Sequence, residues 1–154
     1  MVLGSIDLDP ASEEEANKRV KAVKFYTEED NGLEQKWSGN VWLNPPGGKT
    51  KNRSNTVLFW QKLIASVESG DVNHAMFMAF SIEALQSTQK LGKRSIGEFM
   101  FCVPSKRIKF DTPEGLPDKH SPSHSNMLVY VPGIVDRSKI FIEQFESLGV
   151  IINR

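Results

Sequence analysis

His74-Ala75-Met76-Phe77-Met78-Ala79-Phe80 is a nearly continuous apolar run of strand length. That is the pattern of a strand buried on both faces, which belongs inside a parallel sheet covered by helices. Its neighbours in sequence should then alternate between strand and helix, and they do. Ser5-Ile6-Asp7-Leu8-Asp9-Pro10 reads as a short strand stopped by its proline. Ser12 followed by Glu15 has the form of a capping box, and Glu13, Glu14 and Glu15 sit where a helix N-terminus favours negative charge. Ala16, Val20 and Val23 recur at helical spacing, which predicts a helix over 12–23. Lys24-Phe25-Tyr26-Thr27 is a second short strand, ending in the acidic turn Glu28-Glu29-Asp30-Asn31-Gly32.

Asn40-Val41-Trp42-Leu43-Asn44 is a better strand, cut off by Pro45-Pro46-Gly47-Gly48. A polar loop from Lys49 to Asn55 follows, and then Val57, Leu58, Trp60, Leu63, Ile64 and Val67 give a strong helical period to about Ser69. Beyond residue 80 the pattern predicts a helix near 81–90, a strand near 99–103, a hairpin-like pair near 106–110 and 126–131, and a helix near 136–148. Val150-Ile151-Ile152-Asn153-Arg154 suits an edge strand or a partner contact. The alternation implies an α/β chain with crossover connections and a mostly parallel sheet, and the late hairpin implies an antiparallel edge. Ligands of such sheets bind outside the carboxyl ends of the strands, where the strand order reverses. Asp7-Leu8-Asp9-Pro10 and Asn44-Pro45-Pro46 both fall at predicted strand C-termini, so they are expected to converge on one crevice.

The 154 residues, 39% of them apolar and 25% charged, suffice for one domain with a sizeable core. The longest apolar stretches are far short of the roughly 20 residues that cross a bilayer, and the N-terminus does not resemble a signal peptide. A lone Cys102 forms no internal disulfide and reads as a small buried hydrophobe. His74, His120 and His124 show no zinc spacing, so no metal site is expected. A reducing, cytoplasmic setting follows. The net charge of zero hides a division: residues 1–35 hold nine acids and four bases, 36–109 eleven bases and four acids, and 110–154 six acids and four bases. The middle segment can carry a basic surface, while the neutral total excludes a binder that works by bulk charge.

Asn44-Pro45-Pro46 is the most informative triplet. Two prolines stiffen the turn and hold an Asn side-chain oxygen and a main-chain carbonyl in fixed directions. Two fixed acceptors can hold and orient an exocyclic amine as a nucleophile; a strand that merely ends in a turn-forming tetrapeptide is the plainer reading. Asp7 and Asp9 offer acceptors to a cofactor's amine or hydroxyl groups, or are ordinary polarity before a helix. A carboxylate among Glu28, Glu29 and Asp30 is placed to bind ribose hydroxyls, or the turn is simply solvated. There is no Gly-x-Gly-x-x-Gly and no phosphate loop.

Ile6-Asp7-Leu8-Asp9-Pro10-Ala11-Ser12, Ala16-Asn17, Phe25-Tyr26-Thr27, Asp30-Asn31-Gly32-Leu33, Trp37 and Val41-Trp42-Leu43-Asn44-Pro45-Pro46 follow in order and spacing. The series resembles the Dam-like DNA N6-adenine methyltransferases of phages and prophages. Pro104-Ser105-Lys106-Arg107-Ile108-Lys109-Phe110, Ser121-Pro122 and Asn126-Met127-Leu128-Val129-Tyr130 resemble that family's closing hairpin, and the resemblance spans about residues 4–132. It implies a class I, Rossmann-like methyltransferase sheet, S-adenosylmethionine as methyl donor and double-stranded DNA as partner. The target adenine would be flipped out of the duplex, because its N6 is inaccessible while stacked and paired. The resemblance assigns Asn44, Pro45 and Pro46 to the amine, and Asp7, Asp9, Pro10, Glu28, Glu29 and Asp30 to the cofactor. It assigns Lys49, Lys51, Arg53, Lys106 and Arg107 to phosphates.

Two departures from the family stand out. Gly47 replaces the aromatic residue that stacks on the flipped base, and Phe80, Phe59 or Trp42 would have to take its place. No Thr-Pro segment precedes Met1-Val2-Leu3-Gly4-Ser5, so a shortened methyltransferase-like domain over 1–154 is expected. A catalytically silent DNA-binding remnant, and a methyltransferase for another amine such as an RNA base or a glutamine side chain, are the alternatives. Recognition of a DNA sequence is expected from the 47–55 loop and the 104–125 region.

Overall fold

The computed structural model describes residues 1–92, 94–109 and 125–153. Strand β1 (Leu8–Asp9) leads through helix α1 (Glu14–Val20) to β2 (Lys24–Phe25), and β3 (Gly39–Leu43) follows. Strands β4 (Lys49–Thr50) and β5 (Arg53–Ser54) precede α2 (Asn55–Glu68), β6 (Val72–Ala79) and α3 (Ile82–Gln89). The chain ends with β7 (Met100–Pro104), β8 (Met127–Pro132), α4 (Ser138–Phe145) and β9 (Gly149–Ile152).

Seven strands form one sheet in the order β2-β1-β3-β6-β8-β7-β9, while β4 and β5 pair only with each other. The pairs β2–β1, β1–β3 and β3–β6 are parallel, and β6–β8, β8–β7 and β7–β9 are antiparallel. Only β8 and β9 therefore run against the rest. From β1 the chain moves outward to β2 and then returns to β3 on the other side of β1. The strand order thus reverses between β1 and β3, and the crevice of such a sheet opens at that reversal.

Period-two alternation distributes the core. Ala75, Phe77 and Ala79 of β6 join Val41, Leu43, Val129 and the apolar face of α2 in one cluster. Met76 and Met78 face the other way, toward Leu128, Tyr130, Phe141 and the N-terminal Val2 and Leu3. Every residue of β6 except Asn73 is buried, which explains its unbroken apolar run. Trp60 of α2 lies edge-on to Phe77 and Phe99, with centroids 5.0 and 5.4 Å away, and donates its ring N–H to the Arg94 carbonyl. Cys102 is fully buried, as expected.

Two expectations need correction. The first helix covers 14–20, not 12–23: Ser12 donates its backbone N–H to the Tyr26 carbonyl and stays outside the helix, whose N-cap is Glu13. Glu15 pairs with Lys18 instead of closing a capping box. At the other end Lys21 turns left-handed, and Asn17 holds Ala22 by both its side-chain oxygen and nitrogen. Helix α1 buries none of its residues, and Val23 is 83% exposed, so the apparent apolar period was not a packing face.

The second correction concerns the hairpin. Strand β8 pairs with Met100, Phe101 and Cys102, not with 106–110. A strand between β6 and β7 needs partners that fill both faces, which Phe101 and Cys102 do and the Lys106-to-Lys109 stretch does not. Residues 106–109 form no strand, and the Ile108 N–H reaches back to Asn126 Oδ1 at 3.2 Å. Of the two readings of the last segment the structure shows the edge strand: β9 pairs antiparallel with β7.

Candidate active site

At the carboxyl end of the parallel strands lie Asp9, Asn44 just past β3, and Phe80 just past β6. Strand β8 runs the other way, so its first residues reach the same end: Met127 is level with Ala79, and Asn126 lies one residue beyond. Leu8, Leu43 and Met127 point into the α2 side of the sheet. Alternation therefore turns Asp9, Asn44 and Asn126 to the opposite face, where Trp42 and Leu128 lie.

Asp9 is only 2% exposed. Burial pushes its carboxyl up from 3.8 to about 6, tempered by the Ala11 N–H, which donates to Oδ1 at 3.2 Å, and by the nearby Ser12 hydroxyl. That hydroxyl is itself buried and lacks a hydrogen-bond partner of good geometry. Pro10 is buried beside it. The acidic turn is drawn against this corner by Gly32, where a Cβ would sit 2.0 Å from the Pro10 carbonyl oxygen. Trp37 donates its ring N–H to the Gly32 carbonyl at 2.7 Å, and the Tyr26 N–H donates to the Asp9 carbonyl at 3.0 Å. Within the turn, Asp30 accepts from the Thr27 N–H and hydroxyl at 2.8 and 2.9 Å, which holds its carboxyl below the usual range. Glu28 and Glu29 remain exposed at the rim.

Asp7 is held elsewhere. Its carboxylate accepts the Asn40 N–H at 2.8 Å and the Ser5 hydroxyl at 3.3 Å, at the amino end of β1 and β3. Gly39, at φ +77°, leaves room for it; a Cβ there would lie 2.5 Å from the Asp7 carboxylate. The structure makes Asp7 a brace between two strands rather than a lining residue of the crevice.

Asn44 is half-buried, yet its Oδ1 is fully enclosed and has no hydrogen-bond partner. A buried acceptor left unpaired costs about 1–3 kcal/mol, so a donor supplied from outside would be well received. Pro45 is buried and Pro46 exposed. Gly47 opens onto empty space, with nothing within 4 Å of where its Cβ would be. Of the aromatic residues considered in its place, Phe59 is buried on the other face against Trp37, with centroids 6.0 Å apart. Trp42 and Phe80 are half-buried, Trp42 on the Asn44 side of the sheet.

The expected polar loop is a β-hairpin. Lys51 and Asn52 both have positive φ, 47° and 63°, the geometry of the two-residue turn that matches strand twist. Lys49, Lys51 and Arg53 are all exposed on it, and Arg53 donates to Gln61 Oε1 at 2.7 Å. Asn55 fastens the base by donating its side-chain N–H to the Gly47 carbonyl and its backbone N–H to that of Gly48. The middle segment's positive charge thus gathers partly on this hairpin, while Lys36 and Arg94 pair with Asp71 and Glu68. Lys106 and Arg107 are exposed just past β7. Residues 110–124, which include His120, His124 and most of the region expected to read DNA sequence, lie outside the described residues. Among the described residues no cluster of metal-ligating side chains exists, and no helix is long and apolar enough to cross a membrane.

Four residues escaped the sequence reading: Gly32, Asn55, Ser12 as a polar group facing Asp9, and Asn126. Gly32 and Asn126 stood within quoted motifs, but only three-dimensional contacts show what they touch. The family model described as DNA N-6-adenine-methyltransferase (Dam) matches residues 2–141. No curated protein and no solved structure gives a significant match. The chain belongs to the Dam DNA N-6-adenine-methyltransferase family.

Proposed function

We propose, from that membership, that this chain of one methyltransferase domain moves a methyl group from S-adenosylmethionine to N6 of an adenine flipped from double-stranded DNA. The reaction takes place at the carboxyl-end crevice, in a cytoplasmic, phage- or prophage-derived enzyme. The observation that carries the reading is the enclosed, unpaired Asn44 Oδ1, held at the strand-order reversal by two prolines. It and the Pro45 carbonyl accept the two N6 hydrogens, which turns the nitrogen lone pair out of conjugation with the ring and toward the incoming carbon.

The residues of the Asp9 corner fit the cofactor. A buried carboxyl with a raised pKa, with the Ser12 hydroxyl beside it, suits its amine and hydroxyl donors, and Glu28 and Glu29 at the rim suit a ribose. When bound, S-adenosylmethionine supplies an electrophilic methyl on a sulfonium. Asn44 and the Pro45 carbonyl would hold N6 in line with that methyl, whose bond to sulfur would break as the one to N6 forms, and the surplus N6 proton would pass to solvent. No covalent bond to the protein is needed. Orientation by Asn44, Pro45 and Pro46 would then supply most of the rate gain, up to roughly 7–11 kcal/mol. Phe80 takes the stacking role that Gly47 cannot fill, and Lys49, Lys51, Arg53, Lys106 and Arg107 meet phosphates.

The test is incubation of the full chain with methyl-labelled S-adenosylmethionine and duplex DNA of varied sequence, followed by nucleoside analysis. Label in N6-methyladenine is the expected result. A folded protein that binds DNA but transfers no methyl to it would assign the chain to a silent remnant. Label appearing only in RNA or protein would assign it to another amine.

A further inference from the structure

Asn126 is 3% exposed, and its side chain is half-satisfied. Oδ1 accepts the Ile108 N–H at 3.2 Å, whereas Nδ2 is buried with no hydrogen-bond partner among the described residues. It immediately precedes β8, and so lies beyond the level of Ala79 at the crevice end of the sheet. The registers also locate it relative to Asn44. Leu43 is level with Phe77 and Phe77 with Val129, so Asn44 is level with Leu128, two strands away. Two strand spacings put about 10 Å between those backbones, and Asn126 lies a further two residues outward, about 7 Å. The gap is wide enough for a planar base hydrogen-bonded at both sides.

The two unpaired groups are also opposite in sense: Asn44 presents an acceptor and Asn126 a donor. Adenine offers the complementary pair, an exocyclic N–H donor beside ring-nitrogen acceptors. Guanine and thymine present a carbonyl where adenine has its amine, and an N–H where adenine has the bare N1. In this crevice they would set acceptor against acceptor at the exocyclic position, and also donor against donor where the ring nitrogen that Asn126 meets is N1. Cytosine shares adenine's pattern on a smaller ring, which would not span the gap.

We propose that Asn126 is a specificity-determining residue of this crevice, its side-chain amide donating to a ring nitrogen of the flipped adenine while Asn44 accepts from N6. This rests on the adenine-methyltransferase reading given above. A site built to hydrogen-bond its substrate discriminates strongly, because a base lacking the partner leaves buried polar groups unpaired.

The experiment compares the wild-type chain with Asn126→Asp and Asn126→Ala on duplexes carrying adenine, 1-deazaadenine or 7-deazaadenine at the target position. Asn126→Asp keeps the oxygen that Ile108 uses and, ionised at pH 8, puts a charged acceptor where the donor was; Asn126→Ala removes both polar groups without adding charge. On adenine both variants should lose about tenfold in kcat/KM, the effect of one missing hydrogen bond. The wild type should lose a similar factor on one of the two analogues, and on that analogue Asn126→Ala should lose little more. An Asn126→Asp enzyme with full activity on adenine overturns the proposal. So does an Asn126→Ala enzyme that loses the same factor on all three substrates, which would make Asn126 a structural clamp for Ile108. A wild-type chain that methylates no adenine overturns the parent reading first, and this one with it.

Discussion

The Asp9 corner and the Lys49–Ser54 hairpin both lie at the carboxyl end of the parallel strands and are built on opposite principles. At the corner a carboxyl is buried, a glycine backbone presses on a proline carbonyl, and Tyr26 and Trp37 tie the neighbouring turn down. In the hairpin nearly every side chain is exposed, two successive non-glycine residues hold positive φ, and one asparagine fastens the base. The first arrangement suits the small cofactor proposed for it, at the expense of desolvating a carboxyl. The second exposes cations, as the proposed contact with a large polyanion would require. Asn44 stands between them and serves neither alone.

That position gives the largest expected effect. Asn44→Ala should lower methyl transfer by about two to three orders of magnitude, as removing one preorganised polar group from a reacting centre does. Steady-state kinetics combined with cofactor titration would show it, because S-adenosylmethionine affinity should stay within about threefold when only the acceptor's partner is removed. Retention of most of the turnover would separate Asn44 from the chemistry.

A change confined to the corner should break the two sides apart. Gly32→Ala places a Cβ 2.0 Å from the Pro10 carbonyl oxygen, so backbone must move. Overpacking of this kind costs about 1–3 kcal/mol, and cofactor affinity should fall while DNA affinity holds. Denaturant unfolding and the two binding titrations test it; an equal loss of both affinities would mean that the corner and the hairpin are one unit.

Asp9 sharpens the contrast through pH. Its folded pKa of about 6 lies above the ordinary 3.8, so protonation favours the fold. That contribution is fully present below 3.8 and is lost as pH rises through about 6. The burden of the buried carboxylate above pH 6 corresponds to about 3 kcal/mol. Asp9→Asn should therefore be more stable than wild type at about pH 7.5 and nearly equal to it at about pH 3.5, while binding the cofactor less well. A stability difference that does not change between those pH values would contradict the assignment.

The smallest effect belongs to the hairpin. Replacing Lys49, Lys51 and Arg53 together with alanine should leave stability almost unchanged and weaken DNA binding. The slope of log affinity against log salt should fall by about one for each phosphate that is no longer neutralised. An unchanged slope would leave the hairpin a solvated surface feature.

The sheet was legible in the sequence because burial on both faces forces an unbroken apolar run in β6, and because Pro10 and Pro45 mark where strands stop. The site's outline was legible for the same reason: strand ends are punctuated, and Asn44 and Asp9 sit at the punctuation. What remained hidden depended on contacts distant in sequence. Asp7 and Asp9 look alike two residues apart, yet one braces Asn40 and the other is buried at the crevice. The pairing of β8 with 100–104 across a long connection could not be read from local alternation, and Asn126 drew no notice because its half-satisfied amide is a fact of packing. The short helix α1 misled because Val20 and Val23 mimic a period that nothing packs against.

Calorimetric titration of the full chain with S-adenosylmethionine, run in parallel on Asp9→Asn, tests the crevice itself. Micromolar binding at one site, weakened at least about tenfold by Asp9→Asn, is the expected result. A folded wild-type chain that takes up no S-adenosylmethionine, or one whose affinity is indifferent to Asp9, would contradict the placement of the cofactor at the carboxyl end of β1.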